Sequence, residues 1–279
     1  VCVLSSTLVV FEVDSSGIFP KVNCSCCPDS ILSYPLSIYI DDIQSVTTNI
    51  STFNEVTSPQ YKALSWINST LQNSTNISED DLPSSHTIQQ SYILAVLFYT
   101  TNGANWTNYK NGTSNWLTHI SEESDVDVCL WDGILCSHNS TIDARRYLQS
   151  ENSSYVSSIS LKSNNLHGSL PSELSGLTKI RYLSLQKNHI TGTIPDSFGN
   201  LTNITDMYMD DNFLSGNIPS TFMNLRNLER IDLSANSLSG EFPTAVTSLS
   251  SLRGLWLDDN SFHSNIPEEI GNMASIRTI

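Results

Sequence analysis

From Val156 to Ile279 the chain alternates apolar and polar positions with one fixed period. Asn164, Asn188, Asn212, Asn236 and Asn260 stand 24 residues apart. Four positions after each come Gly168, Gly192, Gly216, Gly240 and then Ser264, followed by Pro171, Pro195, Pro219, Pro243 and Pro267. Ahead of each asparagine, leucines alternate with a polar residue, as in Leu183-Ser184-Leu185, the period of a strand with one buried face. One such strand cannot bury its leucines, but stacked copies can, which predicts a parallel solenoid. The asparagine falls where the chain leaves the strand. There its amide can satisfy backbone groups that would otherwise be buried unpaired, and its repetition predicts a ladder along the coil. Gly192 permits an unusual φ and Pro195 fixes one. The apolar spacing of Phe198, Leu201 and Ile204 predicts a short helical turn on the convex side.

Upstream the period is lost. Val1 to Phe11 is apolar or small and too short to cross a bilayer, which takes about 20 residues. The chain lacks an initial Met and ends partway into a sixth copy, so it reads as a fragment. Residues 1–13 then read either as the end of a membrane helix or signal segment, or as an ordinary buried strand. Residues 14–57, rich in Ser, Thr, Asn, Asp and Pro, read as a weakly ordered stalk. Ser58-Pro59 supplies an N-cap and a first helical position, and Tyr61, Leu64, Ile67 and Leu71 continue with helical spacing. Thr87 to Thr100 encloses the apolar run Tyr92 to Tyr99, which predicts a buried helix. Residues 58–155 are thus expected to form a helical unit ahead of the repeats, and 156–279 to form five repeats and the start of a sixth.

Written out, the period is LxxLxLxxNxLxGxIPxx, a leucine-rich repeat, and its LxGxIP ending resembles the plant-type subfamily. Cys129-Leu130-Trp131-Asp132-Gly133-Ile134-Leu135-Cys136 resembles the CxWxGxxC cap that precedes the repeats in plant-type extracellular proteins. "AVLFYTTNGANW" and "NWL" resemble the same cap's helix and tryptophan segment, and "SPQYKALSW" is similar to the pre-cap region of repeat receptors in some algae. The resemblance covers 58–279. It implies an α/β solenoid: a right-handed superhelix with a parallel concave sheet, a second small sheet on its flank and a helical, disulfide-bonded N-terminal cap. It also implies a Cys129–Cys136 bridge that holds Trp131 over the first repeat. Residues 137–155 are longer than the family's usual join and contain Arg145-Arg146, readable as a protease site or a solvated loop.

Net charge is −15, with 16 acidic and 5 basic side chains in 1–155 and 12 and 8 in 156–279. Neither part offers the basic face that nucleic acid needs. Cys24-Ser25-Cys26-Cys27 has no second pair or neighbouring histidine to complete a metal site. With Cys2 these thiols form bridges, stay free or pair between chains, and the sequence does not choose. Glycosylation sequons stand at Asn23, Asn49, Asn68, Asn73, Asn76, Asn105, Asn111, Asn139, Asn152, Asn200 and Asn203. Nine of these eleven precede the repeats, where a glycan is tolerated, and with the implied bridge they place the chain at the cell surface or outside the cell.

The residues between the strand leucines face outward on the concave side. Among them Tyr182, Tyr208 and Trp256 are large aromatics, and six aspartates gather from Asp206 onward: Asp206, Asp210, Asp211, Asp232, Asp258 and Asp259. Tyr208, Asp232 and Trp256 share one repeat position, which predicts two aromatic walls with a carboxylate floor flanked by Asp206, Asp210 and Asp258. Exposed aromatics beside charges are the composition of binding surfaces. Asp206 and Asp232 fall at the spacing of an inverting glycosidase pair, but an open face raises neither carboxyl's pKa. The histidines are scattered, and His167 and His189 occupy unequal positions of the repeat, so they are expected not to stack. No nucleophile elbow, phosphate loop or zinc-protease motif is present. The expectation is a non-enzymatic module without a cofactor, the ectodomain of a membrane-anchored, receptor-like protein. Its partner would be a peptide, protein or glycan, with or without a co-receptor. The rivals are a secreted inhibitor of cell-wall hydrolases and a structural or adhesion protein.

Overall fold

A computed structural model of the chain describes residues 11–13, 20–22, 36–47, 49–73, 83–117, 127–138 and 154–279. Two short strands, β1 (Phe11–Val13) and β2 (Pro20–Val22), pair antiparallel. A helical layer and a coil of repeats share one hydrophobic core. No helix among the described residues is long and apolar enough to cross a membrane.

Each turn of the coil gives one strand to each of two sheets. The first sheet contains β3 (Ile134–His138), β4 (Ser154–Ser160), β6 (Tyr182–Ser184), β8 (Asp206–Tyr208), β10 (Arg230–Asp232) and β12 (Gly254–Trp256), in the order β12-β10-β8-β6-β4-β3. All its pairings are parallel except β3 with β4. The flank sheet contains β5 (His167–Ser169), β7 (His189–Thr193), β9 (Phe213–Gly216), β11 (Ser237–Gly240) and β13 (Ser261–Phe262), all parallel. Short 3-10 turns such as Asp196–Asn200 and Ser220–Asn224 complete each repeat, with Pro195 and Pro219 at their entries. Leu183, Leu185, Phe198, Leu201 and Ile204 are all buried. The expected solenoid, its parallel sheet and its helical turns are therefore present.

The asparagines make the turn out of each strand affordable in hydrogen bonds. Asn188 Oδ1 accepts from the backbone N–H groups of Asn164 and Leu166, both at 3.0 Å. Its Nδ2 donates to the carbonyls of Leu161 at 2.9 Å and Leu185 at 2.8 Å. Asn212 repeats this with Ile190 N–H at 3.0 Å and Leu185 O at 3.0 Å. Asn236 and Asn260 continue the ladder. One amide thus closes backbone groups of its own turn and of the turn before, as burial requires. The residue ahead of each asparagine, namely Ser163, Lys187, Asp211, Ala235 and Asp259, is left-handed with φ between 50° and 58°. Asp211 and Asp259 therefore belong to this turn rather than to the strands beside them.

The helical layer differs from the expectation at its start. Leu36, Tyr39 and Ile43 are buried, and α1 (Ile40–Val46) packs on α3 (Ser85–Thr100). Residues 36–47 and 49–54 are therefore folded rather than stalk, because Leu36, Tyr39, Ile43 and Val46 recur at helical spacing within that polar composition and give it an apolar face. Tyr39 OH donates to Pro83 O at 2.5 Å, and Thr47 Oγ1 lies 3.0 Å from Tyr92 OH. The helix α2 (Pro59–Asn73) starts with Ser58 Oγ accepting from Tyr61 N–H at 3.0 Å, as its sequence predicts. The interior of α3 is buried from Gln90 through Phe98. Gln90 caps the entry to β4, donating to Ser154 O at 3.1 Å and accepting from Val156 N–H at 2.6 Å.

Residues 101–108 then stand in for a repeat preceding the first. Thr107 N–H donates to Asn164 O at 3.0 Å, Asn108 N–H to Asn164 Oδ1 at 2.9 Å and His167 N–H to Thr101 O at 3.0 Å. At Gly168, with φ at 126°, a Cβ would stand 2.1 Å from Thr100 O, so only glycine lets β5 close against this junction. Trp106, Trp116 and Trp131 pack in succession with ring centroids 4.8 Å apart, and Trp66 lies 5.5 Å from Trp131. Cys129 and Cys136 are bonded across a Cα separation of 5.5 Å, bracketing Trp131 and the start of β3. Cys2, Cys24, Cys26, Cys27 and Arg145-Arg146 lie outside the described residues.

Candidate functional site

The first sheet presents its outward side chains in columns, since every pairing from β4 to β12 keeps the 24-residue register. One column runs Ser158, Tyr182, Asp206, Arg230, Gly254; its neighbour runs Ser160, Ser184, Tyr208, Asp232, Trp256. Tyr208 and Trp256 therefore sit two strands apart with Asp232 between them, roughly 10 Å at the usual strand spacing. The rings of Tyr182 and Tyr208 meet at 5.7 Å and a tilt of 54°. The indole of Trp256 fills the space beside Gly254, where a Cβ would stand 2.4 Å from the ring. All three aromatics are half-buried.

The carboxylate floor is not as the repeat positions suggest. Asp206 is buried and already partnered: Arg230 Nε binds its Oδ1, Tyr208 OH donates to the same oxygen at 3.2 Å, and Thr205 Oγ1 donates to Oδ2 at 2.8 Å. It serves the fold and holds Tyr208 and Arg230 in place, and it is not free for a ligand. Asp232 keeps part of its capacity, because its Oδ1 accepts from Ser234 N–H at 3.0 Å and Ser234 Oγ at 2.6 Å. Asp210 is half-buried, and desolvation, then the nearby charge of Asp232, raises its carboxyl pKa. Asp258 is exposed in the same column as Asp210. Burial, then the charge of Asp206, raises the Tyr208 phenol, which therefore stays neutral.

Arg230 is the residue that sequence reasoning missed. Its side chain is 48 % exposed, it stands between the Tyr208 and Trp256 strands, and it turns a purely acidic floor into a mixed one. The signal was in the chain: Arg230 follows Asp206 by one 24-residue period, which puts opposite charges side by side in a parallel sheet.

A second correction concerns the flank sheet. His167 and His189 are direct cross-strand neighbours, with ring centroids 4.5 Å apart. The flank strands pair with a shift of 22 residues, not 24, as His167 with His189, Thr191 with Phe213 and Ser215 with Ser237 show. Equal repeat position therefore does not decide contact on that sheet.

Among the sequons, Asn68 is buried within α2, where a glycan has no room, so that assignment is withdrawn. Asn203 donates Nδ2 to Thr178 O at 2.8 Å, which occupies the nitrogen a glycan would need. Asn49, Asn111 and Asn200 are exposed, and Asn105 is half-exposed with Nδ2 donating to Asn102 Oδ1 at 2.9 Å. Asn73 ends α2, and Asn23, Asn76, Asn139 and Asn152 lie outside the described residues. Among the described residues, no three of His, Cys, Asp and Glu converge as metal ligands would.

Leucine-rich-repeat family models match residues 154–214, 227–249 and 251–273. No curated protein sequence matches the chain. Among solved structures it is similar to a plant ice-binding protein, at 23 % identity and a TM-score of 0.55 over 71 % of this chain and 56 % of that one. It is similar to the ectodomain of the receptor kinase SOBIR1 from Arabidopsis thaliana, at 21 % identity and a TM-score of 0.52 over 70 % of this chain and 91 % of that one. A third similarity is to the receptor kinase GASSHO1/SCHENGEN3 from Arabidopsis thaliana, solved with CASPARIAN STRIP INTEGRITY FACTOR 2. There the identity is 31 % and the TM-score 0.46, over 55 % of this chain and 20 % of that one. The coil from Ser154 onward is thus built of leucine-rich repeats and shares its fold with a plant receptor-kinase ectodomain.

Proposed function

We propose that the chain is an extracellular binding module whose concave sheet takes a peptide or protein ligand. The observation that carries this is the strip of Tyr182, Tyr208 and Trp256. These rings lie half-exposed over a sheet whose leucines are buried, so none of the three is needed to fill the core. Aromatics beside a fixed arginine and accessible carboxylates are the usual anchors of protein recognition. Arg230 with Asp210, Asp232 and Asp258 suits a ligand segment of mixed charge better than the purely cationic one that an acidic floor would take. A glycan is the second reading, favoured by the half-exposed indole of Trp256 beside Asp232, on which a sugar's apolar face can stack.

The module is read as facing the secretory lumen, anchored to a membrane or released, with a co-receptor as a further partner. The sequons at Asn49, Asn111 and Asn200 support this, as does the Cys129–Cys136 bond around Trp131. Expressed in a eukaryotic secretory host, the chain is expected to lose apparent mass with an N-glycosidase. Peptide mass mapping is expected to find Cys129 joined to Cys136. Two free thiols there and no mass shift would sink the location.

The face itself is tested by screening the secreted protein against arrays of extracellular peptides and of glycans. Each hit is then repeated with Tyr208→Ala and Trp256→Ala. Each substitution is expected to weaken binding by about 1–2 kcal/mol without unfolding the chain. A folded double variant that binds as the wild type does would move the site off this sheet. An inhibitor of cell-wall hydrolases remains the rival, and inhibition of a polygalacturonase by the purified chain would favour it.

A further inference from the structure

We propose that His167 and His189 form a two-imidazole site for a divalent transition-metal ion on the flank sheet, away from the concave face. The 22-residue pairing shift places the two histidines directly opposite each other on β5 and β7, both exposed, with rings 4.5 Å apart and 38° from parallel. Ions of the Ni²⁺, Cu²⁺ and Zn²⁺ class favour imidazole nitrogen at about 2.0–2.1 Å. Two ring nitrogens on neighbouring strands at this spacing come within reach of one such ion by small side-chain rotations.

The proton on His167 is already placed. Its Nδ1 lies 2.9 Å from Asn165 O. A carbonyl only accepts, so Nδ1 carries the hydrogen and Nε2 keeps its lone pair for a ligand. A backbone carbonyl at the second nitrogen is the usual support of a metal-binding histidine. Asn165 is itself fixed, because its Nδ2 donates to Asn105 O at 2.9 Å across the junction with the helical layer. His189 makes no side-chain hydrogen bond among the described residues, so its ring is uncommitted. Phe213 lies against its other side, 5.8 Å away and nearly parallel at 13°, which restrains its rotation. A bound ion would bridge the first two repeats and leave its remaining positions to water or to a donor from a partner.

His263 provides an internal contrast. Its Nδ1 also faces a carbonyl, Gly240 O at 2.5 Å, but no second imidazole stands beside it among the described residues. The test uses Ni²⁺ on the intact secreted chain after chelator treatment. Calorimetry gives the stoichiometry, and proton NMR follows the histidine ring signals. The wild type is expected to bind one more Ni²⁺ per chain than His167→Gln/His189→Gln, and each single variant to lose about tenfold or more of that affinity. His263→Gln is expected to leave it unchanged. Both residues are exposed, so the double variant should keep its fold, which circular dichroism checks. If it does not, paramagnetic broadening by Ni²⁺ of the His167 and His189 ring signals in the wild type decides. Equal stoichiometry in wild type and folded double variant, or broadening that spares these two rings, would overturn the site.

Discussion

The coil and the helical layer share one core but hold it by different means. In the coil a single device, the repeat asparagine, recurs every 24 residues and accepts from the equivalent backbone N–H each time. The load is spread over equivalent positions, each contacting only its neighbours. In the helical layer nothing repeats. Four tryptophans and Phe98 interlock at ring distances from 4.8 to 6.3 Å, Tyr92 meets Phe53 edge-on at 6.2 Å, and each contact exists once. A lost rung in the coil has similar rungs on either side; a lost ring in the layer has no substitute.

Trp116→Ala should therefore be the most damaging single change. Its side chain is fully buried between Trp106 and Trp131, and its Nε1 donates to Asp132 O at 2.7 Å. Removing a buried tryptophan costs about 3–5 kcal/mol, and here it also orphans the Asp132 carbonyl. Chemical denaturation should show the loss, and hydrogen exchange should place it in α2, α3 and the Cys129–Cys136 segment before the later repeats. Uniform loosening of both regions would mean that they unfold as one unit and that the contrast fails.

How much was legible follows the same division. The strands, the ladder, the 3-10 turns and the columns of the first sheet were readable because one 24-residue period governs them all. The folding of residues 36–47 and 49–54 was not, because the Ser, Thr, Asn and Asp of 14–57 outweigh the helical spacing of Leu36, Tyr39, Ile43 and Val46, whose partner α3 lies far along the chain. At the site, the Tyr208–Asp232–Trp256 column was readable, whereas the burial of Asp206 depended on Arg230 one strand away. His167 and His189 were misjudged because the flank strands shear by two residues against the repeat, which no single repeat reveals.

The ladder itself offers the next test. Asn212→Ala removes the acceptor for Ile190 N–H and the donor to Leu185 O, inside the coil. Leaving buried backbone groups unpaired costs about 2–4 kcal/mol. Asn260→Ala, at a half-exposed position near the end of the described coil, should cost clearly less, since water reaches the groups it leaves. Equal losses at the two positions, measured by denaturant midpoint, would show that the ladder acts through local turn geometry rather than through burial.

The smallest expected effect lies at the junction of the two regions and depends on pH. His86, in the first turn of α3, lies 5.1 Å ring to ring from Tyr155. Burial, then the positive charge of Lys179, lowers its pKa from the ordinary 6.5. Lys179 belongs to the first repeat, so a charged His86 would repel the coil from the layer docked on it. Above 6.5 the imidazole is neutral in both the folded and unfolded chain and contributes nothing. As pH falls below 6.5 the unfolded chain takes up a proton that the folded chain still refuses. Stability therefore declines until the folded value is passed, and then levels. Thermal melts from pH 7.5 to pH 5 should show this decline in the wild type and a shallower one in His86→Gln, which cannot bind the proton in either state. Lys179→Gln should recover part of the difference, because it removes the repulsion and leaves the burial. Parallel melting curves for the wild type and His86→Gln would show that acid reaches the junction through some other group.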